Sequence, residues 1–397
     1  MQADYIRKPQ VYIQQDLFSS NDTIYSSLSS DLFFDTLIRW QFSEDIIYLV
    51  SKDMSYLLVS GYGVKISKKS ERLVIKDSGK FVFELPFFKV RSIAVMSKGV
   101  ALSSDLIEQF CRNDINLSFH DFGGKPYALM QPLSAPFIGN IKRLQILAQN
   151  SLRGLKIASQ IARGKIINQQ AVLKYFVKNL KPDTPQSFSK IQSVKNACAK
   201  MQVFCEKILQ TASGETREDF EKSRSSVMGY EGTAARVYWQ SVSEILSDKV
   251  AFSGRESKIP KDAVNTLLNY GYGILYSKIW NALILAGLDP YLGFLHSEQS
   301  GKPSLVFDMI EEFRAPVVDR TVIAYIALNR SVKIEQGLLS IETRQAFSEK
   351  ILDRLTSSEY YEGKKIMLSD IILSQARKFT AHLESRSEEY EAYSFKW

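Results

Sequence analysis

Two patterns of apolar and polar positions divide the chain. From about Ile46 to Met130, short β-branched and aromatic runs (YLLVSGYGVKIS, RLVIKDSGKFVFELP, VRSIAVMS) alternate with Gly, Lys and Ser turns, the signature of strands. Asp77-Ser78-Gly79-Lys80 predicts a hairpin connection between two of them. DLIEQFCRN, capped by Ser104 or Asp105, predicts a short helix, and INLSFHDFGGKPYALM returns to strand with Gly123-Gly124 as its turn. Pro132 and Pro136 mark a linker. Beyond it the apolar spacing becomes helical: Leu144, Leu147, Leu155, Ile157 and Ile161 share a face, with basic residues between them. Further helices are predicted at Ile191–Ile208, Glu218–Val227 and Val264–Ala286, the last opened by Pro260 and Asp262 and closed by Gly287. After Pro316 the chain reads as helical up to an acidic, aromatic tail, EEYEAYSFKW.

The fold expected from this is α+β, a small N-terminal β-rich domain followed by a larger all-α domain. The boundaries are 1–45 for an N-terminal extension, 46–130 for the β domain, 131–140 for the linker and 141–397 for the helical domain. In the extension, LFFDTLIRWQF suggests an amphipathic helix after a Ser/Asp-rich loop. The run LPFFKVRSIAVM places Leu85, Phe87, Phe88, Val90, Ile93, Val95 and Met96 close together, more apolar positions than one small sheet needs. That excess predicts a homodimer through the β domain.

Composition is that of an ordinary globular chain, 45% hydrophobic and 24% charged over 397 residues. MQADYIRKPQVYIQQ lacks the apolar core of a signal peptide, and no run is long enough to span a membrane. Cys111, Cys198 and Cys205 form no CxxC pair, so neither a disulfide framework nor a structural zinc is indicated; the cytosol is the expected compartment.

Charge changes the picture more. The net +8 comes from one place: residues 122–182 contain no acid and ten basic residues, leaving 41 basic against 43 acidic elsewhere. Such a block is the footprint of a polyanion, most often nucleic acid, although a solvated helix face can show the same excess. Arg143, Arg153, Lys156, Arg163 and Lys165 in this block, with Arg255 before the long apolar helix, are the DNA-binding candidates.

Candidate chemistry concentrates between Leu288 and Asp319, LDPYLGFLHSEQSGKPSLVFDMIEEFRAPVVD. Asp289 and Pro290 suit the start of a short helix ending at His296, and Ser304 suits the N-cap of the next, which Pro316 interrupts. On that helix Asp308, Glu311 and Glu312 lie within one face, so a lone imidazole confronts carboxylates across a loop. One imidazole and two carboxylates, with no thiolate, favour Mn²⁺ or Mg²⁺ over zinc. A surface helix with three acids is otherwise simply solvated. Upstream, Glu231 stands between Gly229 and Gly232, either open to a ligand or merely a first-turn acid complementing a helix dipole. His120-Asp121 lacks the further histidines of a metal phosphohydrolase and is read as structural or surface.

Three ordered segments, GYEGTAARVYW, GRESKIPKDAVNTLLNYGYGILYSKIWNALILAGLDPYLGFLH and SLVFDMIEEFRAPVVD, resemble the CRISPR-associated integrase family that acquires new spacers (Cas-one). The likeness spans Glu231 to Asp319 and extends more weakly back to the FGGKP turn; residues 1–45 and those after Ile334 depart from it. It implies that Glu231, His296 and Glu311, 65 and then 15 residues apart, bind a divalent metal, Mg²⁺ or Mn²⁺, with Asp308 as a supporting acid of the catalytic site. It also implies a β domain that dimerises and two dimers flanking a small ferredoxin-like partner (Cas-two). The assembly would carry short double-stranded DNA and join its 3′-OH ends to the CRISPR repeat. Water in place of the hydroxyl would make the same site a nuclease, and a non-catalytic DNA-binding scaffold would keep the fold.

Overall fold

The computed structural model describes residues 38–43, 46–50, 55–130, 139–178, 180–213, 220–256, 258, 260, 262–296 and 301–395. It divides into two compact units, 1–134 and 135–397.

In the first unit the strands are β1 (Ile38–Ser43), β2 (Ile46–Val50), β3 (Ser55–Val59), β4 (Val64–Lys69), β5 (Arg72–Asp77), β6 (Lys80–Pro86), β7 (Val90–Val95) and β8 (Ala101–Leu102). Helix α1 (Ser104–Arg112) then precedes β9 (Asn116–His120) and β10 (Pro126–Met130). One sheet runs β1-β2-β3-β7-β9-β10 and the other β6-β5-β4-β8. Alternation builds the core between them: Leu57, Val59 and Ile93 from the first sheet meet Ile66, Leu73 and Ile75 from the second, and Leu106 and Phe110 of α1 complete it. The β5–β6 connection is the expected hairpin, since Ser78 (φ 48°) and Gly79 (φ 81°) both adopt the left-handed region that a two-residue turn requires.

Two expectations for this part are corrected. Residues 38–43, expected to end an amphipathic helix in an extension separate from the sheet, form β1 and pair with β2, so the β unit begins before residue 46. The rest of the expected helix and the 131–138 linker lie outside the described residues. The apolar run that suggests spare surface is mostly core: Leu85, Phe87, Val90, Ile93, Val95 and Met96 are buried, and Phe88 alone of the seven is exposed. Leu85, Phe87, Val90, Ile93 and Val95 all belong to the one core cluster that the two sheets share with α1.

The second unit contains α2 (Gly139–Gln149), α3 (Leu152–Val177), α4 (Pro185–Ser213), α5 (Phe220–Leu246), α6 (Ala263–Leu285), α7 (Ser304–Phe313) and α8 (Arg320–Ala327). Hairpin β11 (Ile334–Glu335) and β12 (Leu338–Leu339) follows, then α9 (Ile341–Thr356), hairpin β13 (Ser358–Tyr361) and β14 (Lys364–Met367), and α10 (Leu368–Leu383). The unit is helical, as expected, with two short hairpins set between its last three helices. Helix α3 is the central post, packed against α4, α5 and α7, while α6 packs on α7 and α10. Asp262 caps α6 by accepting from the Asn265 amide at 2.8 Å, and Gly287 (φ 78°) ends it, as the sequence predicts.

Elsewhere local signals are overridden. Glu231 lies in the middle of α5, not at a helix start, because that helix passes through Gly229 and Gly232 without a break. Pro316 does not end α7 either; a π turn, Arg314–Asp319, carries the chain directly into α8. Residues 289–296 form turns rather than a helix, and Ser304 is the first helical residue of α7, its hydroxyl given to the Tyr291 carbonyl at 3.1 Å.

Candidate metal and nucleic-acid site

The site is built on α7. Asp308 is fully buried and takes in the whole 294–296 turn: its Oδ2 accepts from the amides of Phe294 (2.5 Å) and Leu295 (2.9 Å), and its Oδ1 from the His296 amide (2.9 Å). These amides donate to a carboxylate instead of to preceding carbonyls, which is why the stretch is not helical. Gly293 permits the approach, because a Cβ there would lie 2.6 Å from the Ser304 Cβ and 3.0 Å from Asp308 Oδ2. From the other side Gln149 of α2 donates to the Gly293 carbonyl at 2.9 Å, and Gln145 accepts from the Asp289 amide at 2.8 Å.

Asp308 Oδ1 also receives the His296 ring, Nδ1 at 2.8 Å. A proton held on Nδ1 leaves Nε2 with its lone pair available, the arrangement by which a carboxylate orients a metal-binding imidazole. Burial lowers the His296 pKa, but the hydrogen bond and charge of Asp308, with Glu311, outweigh it and hold the ring above its ordinary value.

One turn along α7, Glu311 enters the same space, only 4% exposed. Glu231 arrives from α5, 16% exposed. Between them stands Lys165 of α3, whose ammonium makes ion pairs with Glu231 Oε1 and with Glu311 Oε2, the latter at 2.7 Å. Both oxygens are buried and lack an aligned hydrogen bond, so each has a cation beside it and no saturating donor. Arg314, at the start of the π turn, pairs with Glu311 Oε1 at 3.0 Å. Burial would raise the Glu311 carboxyl, but Arg314, Lys165 and His296 hold it down at about 2. Burial would lower the Lys165 ammonium, but Glu311 and Glu231 outweigh it and raise it.

The arrangement thus brings Glu231 and Glu311 together on Lys165, while Asp308, one turn earlier on α7, positions His296. Among the described residues, no three His, Cys, Asp or Glu side chains are grouped tightly enough to cage an ion as they stand. The donor types nevertheless fit a hard divalent cation: the Glu231 and Glu311 carboxylates, each with an oxygen lacking an aligned hydrogen bond, and an imidazole held by Asp308.

Three expected partners lie elsewhere. Glu312, expected to join the acidic cluster, is instead buried against α10 and the C-terminal tail, accepting from Tyr390, the Tyr393 amide (2.7 Å) and Gln375 (3.0 Å). Arg255 donates to Asn265 (3.0 Å), Asn269 (2.6 Å) and the Glu256 carbonyl, which makes it a structural tie rather than an open DNA contact. Arg153 likewise ties the end of α10, donating to the Leu383 carbonyl at 3.1 Å and to Ser385. Lys165 sits in the acidic site. Arg143 and Lys156 remain exposed and Arg163 half-exposed. Sequence reasoning misses the site role of Lys165 and overlooks Arg314, although an arginine three residues after Glu311 is a readable i,i+3 pair. His120 is structural as expected, buried between the Gly124 carbonyl and the Ser118 hydroxyl, each at 3.0 Å.

With this geometry established, comparison with known proteins is decisive. The family model described as CRISPR associated protein Cas1 matches residues 57–352. The chain belongs to the Cas1 family. It is 33% identical to CRISPR-associated endonuclease Cas1 1 of Archaeoglobus fulgidus, over 86% of this chain and 99% of the relative. It is 32% identical to the protein of that name from Francisella tularensis subsp. novicida, over 87% of this chain and 100% of the relative. The fold matches a casposase bound to integration product, at TM-score 0.69 and 22% identity, covering 86% of this chain and 94% of that one. It also matches the Cas1 protein of Thermotoga maritima, at TM-score 0.66 and 20% identity, covering 86% and 100%. No described helix of this Cas1 chain is long and apolar enough to cross a membrane.

Proposed function

We propose that this Cas1 protein is a divalent-metal-dependent DNA nuclease and integrase of CRISPR adaptation. On this reading it joins the 3′-OH ends of short foreign duplexes to the CRISPR repeat by transesterification. The observation that carries the reading is the meeting of Glu231 and Glu311 on Lys165, one helical turn along α7 from the Asp308 that orients His296. It is supported by family membership, by relatives named endonucleases, and by the shared fold with a casposase bound to integration product.

Glu231, His296 and Glu311 would hold Mg²⁺ or Mn²⁺. When bound, the ion supplies Lewis acidity at a phosphodiester and lowers the pKa of the attacking hydroxyl. Asp308 keeps the proton on His296 Nδ1 and fixes the ring plane. Arg314 holds Glu311 ionised at neutral pH. Arg143, Lys156 and Arg163 would meet the phosphate backbone, setting affinity rather than chemistry. The working assembly would be a homodimer formed through the β unit, joined to a small ferredoxin-like Cas2 partner; one solved neighbour of this fold, at TM-score 0.65 and 20% identity, belongs to a Cas6-RT-Cas1–Cas2 complex.

A second reading, hydrolysis with water as the natural nucleophile, is favoured by the endonuclease names that the relatives carry. One experiment separates the two. Purified protein with its partner and Mn²⁺ is given a short 3′-OH duplex and a repeat-bearing plasmid. Joined strands that disappear when the 3′ end is blocked mean integration; cleavage that persists with the blocked end means hydrolysis. A Glu231→Gln protein that still joins strands would overturn the site.

A further inference from the structure

Lys165 is the basic residue whose position differs most from its expected place on a DNA-binding face. Its side chain is 14% exposed, and its ammonium contacts one oxygen from each of two carboxylates that reach it from different helices, α5 and α7. Those two oxygens, Glu231 Oε1 and Glu311 Oε2, have no aligned hydrogen bond from any other group. They are the atoms a cation shared by the two acids would use. With Arg314 on Glu311 Oε1, the two acids face two positive charges. A divalent ion entering while Lys165 stayed would leave the pocket over-neutralised, with like charges a few ångströms apart where water screens them poorly.

We propose that Lys165 is the tethered counter-cation of the metal-free site, and that a divalent ion binds by displacing its ammonium from Glu231 and Glu311. This rests on the metal-binding reading above. The backbone of α3 cannot make the exchange. Gly164 is packed so closely on Ala392 that a Cβ there would lie 2.5 Å from the Ala392 Cβ. Asn168, one turn on, donates to the carbonyls of Glu312 (2.7 Å) and Tyr393 (2.8 Å). The four-carbon stem of Lys165, rotatable along its length, is the part that moves. Placeholder and metal therefore alternate on the same two oxygens. The metal-free pocket avoids two buried, uncompensated carboxylates, and the released ammonium is left beside the ion, facing whatever anion enters next.

The test uses the full-length chain and two readouts independent of activity. In the first, lysines are reductively methylated with formaldehyde and borohydride and followed by peptide mass spectrometry, with EDTA or with increasing Mg²⁺. Lys165 should be protected in EDTA and become reactive along the Mg²⁺ titration, at least about tenfold faster at saturation. In the second, Mn²⁺ binding is measured by calorimetry on the parent protein and on Lys165→Met, which removes the charge and keeps the length. The variant should bind Mn²⁺ at least about tenfold more tightly, since each tenfold is about 1.4 kcal/mol and no ammonium has to leave.

A Lys165 that stays unreactive at saturating Mg²⁺ overturns the proposal. So does equal or weaker Mn²⁺ affinity in a folded Lys165→Met protein. Either result, with the parent protein binding metal, leaves the metal-site reading standing; absence of any Mn²⁺ binding by the parent sinks both. Should Lys165→Met fail to fold, the labelling of the unaltered chain decides alone.

Discussion

Both carboxylate oxygens of Asp308 are taken up by the turn that carries His296, and this separates its role from that of its neighbours. Asp308→Asn turns one acceptor into a donor aimed at backbone N–H groups that cannot accept. Breaking a buried charge-assisted network of this kind should cost on the order of 3 kcal/mol. A drop in the chemical-denaturation midpoint together with weaker Mn²⁺ binding is expected. Glu231→Gln should weaken Mn²⁺ binding with little loss of stability, so the two substitutions are distinguished by the denaturation curve. Glu312 supplies a pH test in chelator-treated protein. Burial pushes its carboxyl up to about 7 from the ordinary 4.5, and hydrogen bonds from Tyr390, the Tyr393 amide and Gln375 only partly offset this. A folded-state value above the unfolded one means the native protein holds a proton that the unfolded chain releases. That contribution is complete below pH 4.5 and is lost as pH rises to about 7, a change on the order of 3 kcal/mol. Glu312→Gln should flatten unfolding free energy across that window. Glu311, held near 2, acts in the opposite sense, contributing above pH 4.5 and losing its effect as pH falls below it.

At the scale of elements, the C-terminal tail is part of the site's scaffold. Tyr390, Tyr393 and Phe395 are all buried, and Tyr393 stacks on Phe313 of α7 with ring centroids 5.1 Å apart. Asn168 of α3 clips the strap at two points two residues apart, donating to the Tyr393 carbonyl and accepting from the Phe395 amide at 2.7 Å. Burying one such ring contributes roughly 2 kcal/mol, so deleting residues 388–397 should remove several kcal/mol of stability and loosen Mn²⁺ binding through α7. Gly164→Val should show a milder form of the same defect by pushing Ala392 away, whereas a melting temperature unchanged in both proteins would mean the strap is only an appendage. The π turn is the second elemental device. It keeps Arg314 on Glu311 while turning Asp319 towards the Tyr238 (3.0 Å) and Tyr272 (2.5 Å) hydroxyls, a pairing that an α-helical count through Pro316 would not produce.

Over the whole molecule the charge excess of residues 122–182 does not form one surface. Lys165 is drawn into the acidic pocket and Arg153 is bound to the end of α10, while Arg143, Lys156 and Arg163 stay accessible. Reversing Lys156 and Arg163 should flatten the log-log salt dependence of duplex binding by about one unit for each phosphate no longer neutralised. Reversing Arg255 should instead lower stability and leave that slope unchanged, because its guanidinium ties the loop before α6 to Asn265 and Asn269. In the β unit the exposed apolar area lies mostly outside the sequence run, which contributes Phe88 alone. Tyr62, Phe81, Phe88 and Tyr127 project outward, Phe88 at 73% exposure. If the chain dimerises through this unit, replacing Phe81 and Phe88 together by Glu should shift sedimentation from dimer to monomer. A variant that sediments as the parent does would place the interface elsewhere.

Features governed by near neighbours are legible from the residues alone. The Ser78-Gly79 hairpin, the capped and glycine-closed α6, and the β-then-α order each depend on backbone preferences within a few positions. The resemblance of the segments from Glu231 to Asp319 supplies the acids and the histidine. Features that depend on a distant partner are not legible. Residues 289–296 read as helix because nothing local shows that their amides are claimed by Asp308, and α5 reads as broken at its glycines because packing on α3 and α4 is invisible in the chain. Lys165 reads as a DNA contact for the same reason. A long cationic side chain in an acid-free segment points to a phosphate until folding brings Glu231 and Glu311 from two other helices within reach of its ammonium. Helical period tells which residues share a face; which charges meet across three helices depends on how those helices pack.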